Sequence, residues 1–274
     1  MTLGALATVV GVPHIDIAEQ AGVGLDGEPR PTEDVVVTTG NAVVVLDGAT
    51  EARKELPSGG WYAHRLAEQL EWRLRTDPDG DLAALLADAI AEVAAAHDLR
   101  AGHSPSSTVA MVRWTADRVD ALSLADSPVV AFGRSWVEVL SDDRLSVLRH
   151  SGLLRTRAEV NRLRNHEDGF WVAEAAPEAA AHALRRSWPR VDLDAVLIAT
   201  DGVSTGVDDY ALFRWPGVLG LAREHGAAAV LDAVRTAERA DADATRWPRP
   251  KRHDDQALAL IDFAANQGAA QGVP

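Results

Sequence analysis

Apolar and polar residues alternate along HIDIAEQ (14–20), and this two-residue period predicts a strand with one buried face. A turn-rich stretch, AGVGLDGEPRPTED, follows it. VVVTTGNAVVVLDG is then two apolar runs joined by Gly40-Asn41, which predicts a hairpin. The period changes next. Between Trp61 and Arg75 the side chains of Tyr62, Leu66, Leu70 and Leu74 recur along one helical face. DPDGD interrupts the pattern, and LAALLADAIAEVAAAH (82–97) predicts an alanine-rich helix packed on the first.

Strand character returns in SSTVAMVRW (106–114), RVDALSLADSPVVAFG (118–133) and SWVEVLSDD (135–143). Residues 144–172 carry no period and read as irregular, with four arginines between Arg155 and Arg164. AAPEAAAHALRRS (175–187) predicts a helix with Pro177 in its first turn. After the apolar run VLIATDG come helices around 208–223 and 226–239. The connector ADADATRWPRPKRHDD leads into a last strand, QALALIDF. The pattern predicts an α+β chain: antiparallel strands in two stacked sheets, helices outside, no linker and no internal repeat. A single domain over 1–274 is expected, with its core at about 14–263 and a mobile tail at 264–274.

Composition narrows the function. A hydrophobic fraction of 47% suffices for a sizeable core, and the net charge of −14, from 41 acidic and 27 basic residues, disfavours nucleic acid and anionic membranes as partners. With no cysteine in the chain, disulfides, zinc–thiolate sites and cysteine nucleophiles are excluded. The N-terminus lacks the basic region of a signal peptide. No run reaches the roughly 20 apolar residues of a membrane helix, so a soluble, cytoplasmic protein is expected.

Candidate chemistry lies where apolar runs meet carboxylates. VVVL ends at Asp47-Gly48, VLIAT ends at Asp201-Gly202, and Asp254-Asp255 precedes QALALI. Carboxylates at strand ends suit the hard cations Mg²⁺ and Mn²⁺, and Gly48 allows a sharp turn that can aim its carbonyl at an ion. Taken singly, Asp-Gly is also the sequence of an ordinary turn, and paired aspartates that of a solvated strand entry. The nine histidines have no metal-binding spacing, and Ser104, Ser106, Ser107 and Ser127 lack a nucleophile-elbow pattern. The basic run RWPRPKRH (246–253) reads either as a solvated loop or as a dock for an acidic phosphopeptide.

The pieces taken in order are more specific. RPTED (30–34), VVVLDG (43–48), SSTVAMV (106–112), LADSPVVAF (124–132), VLIATDG (196–202) and HDDQALALI (253–261) resemble the metal-dependent serine/threonine phosphatases of the protein phosphatase 2C family. GFWVAEAAPEAA (169–180) looks like the stretch that precedes the third motif in bacterial members. The resemblance implies an αββα sandwich with its site at one end. It implies that Asp47 bridges two metal ions, that Gly48 donates its carbonyl, and that Asp201 and Asp254 are direct ligands. Glu33 and Asp34 would hold metal-bound waters, Asp126 a third metal, and Arg30 the substrate phosphate. Catalysis would then use a hydroxide bridging two Mg²⁺ or Mn²⁺ ions about 4 Å apart, attacking a phosphomonoester in line.

Three departures accompany the resemblance. The histidine that eukaryotic members carry after the first Asp-Gly is missing from DGATEARKELPSGGWYAH, where His64 is the nearest histidine and reads as a surface residue. Ala125 replaces the glycine of Gly-Asp-Ser, and Thr32 stands where asparagine is usual. The implied substrate is a phosphoprotein or another phosphomonoester. The alternative, favoured by the rewritten 49–60 segment, is a pseudophosphatase that binds phosphoproteins or regulatory partners.

Overall fold

The computed structural model describes residues 12–264 except 25, 50–52 and 54. The N-terminal residues 1–11, where no signal peptide is expected, and residues 265–274 of the expected mobile tail lie outside the described residues. Among the described residues, ten strands form two antiparallel sheets. In the first, β2 (Asp34–Thr38), β3 (Ala42–Asp47), β4 (Val109–Trp114), β5 (Arg118–Leu124) and β8 (Leu184–Pro189) pair in that order. In the second, β1 (His14–Gln20), β10 (Gln256–Asp262), β9 (Ala195–Ala199), β6 (Val129–Phe132) and β7 (Val137–Leu140) pair in that order.

The near-continuous apolar runs follow from burial on both faces. Val43 and Val45 of β3 point into the core between the sheets, with Ala110 and Val112 of β4 and Ile198, Ala257 and Ala259 of the opposite sheet. Val44 and Leu46 point the other way, into a layer formed by α1 (Gly59–Thr76) and α2 (Leu82–Ala96). The second sheet is covered on its outer face by α5 (Asp201–Asp208), α6 (Trp215–His225) and α7 (Ala227–Ala240). Helix, sheet, sheet and helix thus stack in four layers, the expected sandwich. Helix entries follow local chemistry: the Ser58 hydroxyl accepts the Trp61 N–H, and Asp81 accepts those of Ala83 and Ala84. Such caps contribute about 1 kcal/mol each.

Three segments differ from the sequence reading. Residues 144–172 are not wholly irregular: α3 (Arg144–His150) and α4 (Arg157–Leu163) pack Leu145, Leu148, Val160 and Leu163 around Phe170 and Val172. A capping box between Thr156 and Glu159 starts α4. The helix expected over 175–187 is one 3-10 stretch, Pro177–His182, followed by the edge strand β8. There the open edge of β5 wins over helix propensity, and Ser187 and Trp188 anchor the strand to Asp120 and Glu138. Finally, the helix expected at 208–223 begins later, at Trp215, because α5 already uses Asp201–Asp208. No helix among the described residues is long and apolar enough to cross a membrane.

Candidate functional site

The three places where carboxylates meet apolar runs come together at one end of the sandwich. Asp47 ends β3 directly opposite Asp34, the first residue of β2. Its backbone is fixed on both sides: its N–H donates to Thr108 Oγ1 (3.0 Å), and its carbonyl accepts from Thr108 N–H (2.9 Å) and Ser107 Oγ (2.9 Å). Asp201 opens α5 straight after β9. Thr200 beside it donates to Asp34 Oδ2 (2.8 Å) and accepts the Ala257 N–H (2.9 Å), joining the two sheets beneath the site. The Asp254 carbonyl accepts from Arg235 Nη2 (2.8 Å), which pins the entry of β10 to α7.

Two glycines are required by close approach. A Cβ on Gly48 would lie 2.5 Å from the carbonyl carbon of Gly59, and one on Gly202 would lie 1.9 Å from the Asp255 carbonyl oxygen. In contrast, Ala125 adopts φ +70°, the left-handed conformation that glycine tolerates better. It precedes Asp126 at the β5–β6 junction, so the turn is kept at some strain.

Asp47, Asp126, Asp201 and Asp254 line one cavity of about 390 Å³, together with Gly48. Its roof comes from the α3–α4 segment, with Arg149, Arg157 and Arg164 among apolar Leu145, Leu154 and Phe170, and Lys251 closes one side. Arg149 Nη1 lies 3.3 Å from Asp126 Oδ2 and 3.9 Å from Asp201 Oδ2, and Lys251 Nζ lies 2.6 Å from Asp254 Oδ1. The chain as a whole is acidic, but its acidic cavity is faced by cations.

Crowding shows in the proton affinities. Burial pushes the Asp47 carboxyl well above the usual carboxylate range, and the charges of Asp34, Asp201, Asp254 and Asp126 add to the effect. Burial likewise raises Asp34, with the Thr200 hydroxyl opposing and Asp255, Asp201 and Asp254 adding. Asp201 is pushed up to about 7 by burial and by Asp254 and Asp126, with Arg149 opposing. Asp126 is raised chiefly by burial, against the pull of Arg149.

A hard divalent cation suits this donor set. The carboxylates repel one another, which a cation relieves, and the buried Asp34 Oδ1 has no hydrogen-bond partner among the described residues. Among the described residues no three His, Asp or Glu side chains already close on one point as metal ligands. Lys251 and Arg149 hold Asp254 and Asp126 toward themselves instead.

Arg30 is placed differently from the other expected residues. It does not line the cavity; its guanidinium pairs with Glu33 (2.6 Å) and Asp255 (3.1 Å). Glu33 also accepts the Gly60 N–H (3.3 Å), and its carbonyl accepts the Gly48 N–H (3.1 Å), so it braces the turn after Asp47. His64 is exposed on α1. Sequence reasoning noted Asp255 only as half of the Asp254-Asp255 pair and gave it no role; it is 4% exposed and accepts the N–H of Gly22 (2.7 Å) and of Glu33 (3.3 Å) besides Arg30. Arg149, Lys251, Thr108 and Thr200 were passed over. Only Lys251 had a signal, being in the basic run beside Asp254.

Comparisons with known proteins bear on the family and the fold. A family profile described as protein phosphatase 2C matches residues 32–234. No curated protein sequence matches the chain. Among solved structures, the serine/threonine phosphatase Stp1 from Staphylococcus aureus is similar with a TM-score of 0.60 and 13% identity, over 94% of this chain and 98% of that one. The catalytic domain of the phosphatase PstP in complex with two manganese ions aligns with a TM-score of 0.56 and 15% identity, over 92% of this chain and 98% of that one. PppA of Pseudomonas aeruginosa, a regulatory component of its type VI secretion system, aligns with a TM-score of 0.57 and 17% identity, over 93% and 99% of the two chains. At these identities the structural likeness establishes a shared fold.

Proposed function

The chain belongs to the protein phosphatase 2C family, and from that premise we propose that it is a metal-dependent phosphatase hydrolysing phosphoserine or phosphothreonine in protein substrates. The observation that carries this reading is the convergence of Asp47, Asp126, Asp201 and Asp254 on one cavity roofed by Arg149, Arg157 and Arg164. The residues that would hold the metal are Asp47, the Gly48 carbonyl, Asp201 and Asp254 as direct ligands, with Glu33 and Asp34 behind them and Asp126 for a further ion. When bound, Mg²⁺ or Mn²⁺ supplies Lewis-acid stabilisation of phosphoryl charge and acidifies water.

The chain's own residues do the rest. Arg149 and Lys251 face the cavity and donate hydrogen bonds to phosphoryl oxygens; the guanidinium offers two donors in a planar fork. Leu145, Leu154 and Phe170 exclude water from the roof, which strengthens the charge interactions below it. Arg30 acts as a brace, holding Asp255 and Glu33 so that Asp254 and Gly48 keep their places.

Titration calorimetry with Mn²⁺ tests the ligand set. Asp47→Asn, Asp201→Asn and Asp254→Asn each keep volume but remove a charged oxygen donor, and each is expected to weaken Mn²⁺ binding at least tenfold. Unchanged affinity in all three removes the metal assignment.

A further inference from the structure

Beside the carboxylate cavity lies a second groove of about 630 Å³, and the two share Arg149, Asp201, Pro250, Lys251 and Asp254 as a common wall. The two spaces are contiguous across Pro250–Lys251. The far side is built by the connector between α7 and β10, which has no helix or strand but is held stiffly. The Asp241 carboxylate accepts the N–H groups of Thr245 (3.1 Å), Arg246 (3.0 Å) and Trp247 (3.0 Å). Arg249 is used up in the same way, donating to Asp241 Oδ2 (2.9 Å) and to the carbonyls of Glu238 (3.0 Å), Trp247 (3.0 Å) and Arg252 (3.0 Å). A loop so pinned presents fixed side chains to the groove, and the ordering cost is met before any ligand arrives.

Two of those side chains form a recognition surface. Trp247 packs against Tyr210 with ring centroids 4.6 Å apart, and the Arg246 guanidinium lies 4.3 Å over the indole. Both line the groove, and among the described residues no carboxylate pairs with Arg246. The acids on the opposite side are engaged elsewhere. Glu238 is 2% exposed and bound to His253 Nδ1 (2.8 Å), and Asp209 accepts the Thr205 hydroxyl (2.9 Å). A guanidinium backed by an aromatic face and lacking a counter-ion is matched by a carboxylate, in a planar two-point pair.

We propose that this groove receives the polypeptide flanking the phosphorylated residue and selects an acidic side chain there through Arg246, backed by Trp247. The inference deepens the phosphatase reading and rests on it. It assigns the substrate class as a phosphorylated protein segment with a nearby Asp or Glu, as distinct from a small phosphomonoester.

The test uses the full chain and two fluorescent phosphothreonine peptides that differ only in flanking residues, glutamates in one and lysines in the other. Fluorescence anisotropy gives the ratio of their affinities, which needs no turnover. The wild-type chain is expected to favour the acidic peptide, and Arg246→Glu to shift the ratio at least tenfold toward the basic one. Arg252→Glu makes the same charge change on an exposed neighbour outside both cavities, and is expected to leave the ratio unchanged. A ratio equal in wild type and Arg246→Glu overturns the proposal, as does an equal shift in Arg252→Glu. Turnover of para-nitrophenyl phosphate on the same samples reports separately on the phosphatase reading. Its failure alongside a shifted ratio leaves the groove standing as a phosphopeptide-binding surface.

Discussion

Replacing Arg30 separates a bracing role from a phosphate-gripping one. Its side chain is 21% exposed, against 10% for Glu33 and 4% for Asp255. Removing one partner of a fully buried ion pair costs about 3–5 kcal/mol, because the other charge is left without compensation. An exposed pair is worth about 0–1 kcal/mol. Arg30 lies between these limits. Asp255 would keep the N–H groups of Gly22 and Glu33, which hold part of its charge. Arg30→Met, which keeps the aliphatic stem, should therefore destabilise by about 2–3 kcal/mol, below the fully buried range. Adding Asp255→Asn removes the orphaned charge and should recover about 1 kcal/mol or more, a coupling of the size contacting residues show. Urea unfolding of the wild type, both single variants and the double variant measures this. A loss under about 0.5 kcal/mol for Arg30→Met, typical of a surface site, together with a raised KM and unchanged kcat, would refute the bracing argument. That result would return Arg30 to the phosphate, since uniform binding loss appears in KM.

Two further outcomes follow from local geometry. Gly202→Ala drives a methyl against the Asp255 carbonyl, 1.9 Å from the ideal Cβ position, and should destabilise by about 1–3 kcal/mol as an overpacked site; thermal melting at the wild-type midpoint would contradict this. Asp241 is held down to about 2, first by the N–H of Arg246 and then by those of Trp247 and the Arg249 guanidinium. A depressed carboxylate stabilises fully above its unfolded value, near 3.8, and loses that contribution as pH falls toward 2. Wild type should therefore lose stability across that window more steeply than Asp241→Asn, and parallel acid-unfolding curves would count against the pinned connector.

What was legible in the sequence was local. The hairpin around Gly40-Asn41, the Tyr62–Leu74 face and the buried strands announce themselves by period, and Asp47 and Asp201 by a carboxylate closing an apolar run before glycine. Their meeting at one end was expected only from the resemblance to the protein phosphatase 2C family. The edge strand β8 was hidden because LRRSWP has a single buried side chain, Trp188, and owes its form to the open edge of β5. The short helix α4 carried a readable sign, Thr156 three residues before Glu159, which the arginine-rich composition masked. The pair Asp254-Asp255 was visible, but the part played by Asp255 was not, and Arg149 gave no sign at all. The roles of Asp255 and Arg149 come from partners far along the chain, Gly22 and Glu33 for one and Asp126 for the other.

The central claim is that the Asp47–Asp201–Asp254 cluster works as a metal-dependent phosphatase site, and hydrolysis of para-nitrophenyl phosphate tests it most directly. The account predicts turnover with Mn²⁺ that disappears with a chelator, returns when Mn²⁺ is restored, and is lost in Asp47→Asn. No turnover in Mn²⁺ or Mg²⁺ by the folded wild-type chain, or equal turnover with and without chelator, would contradict it.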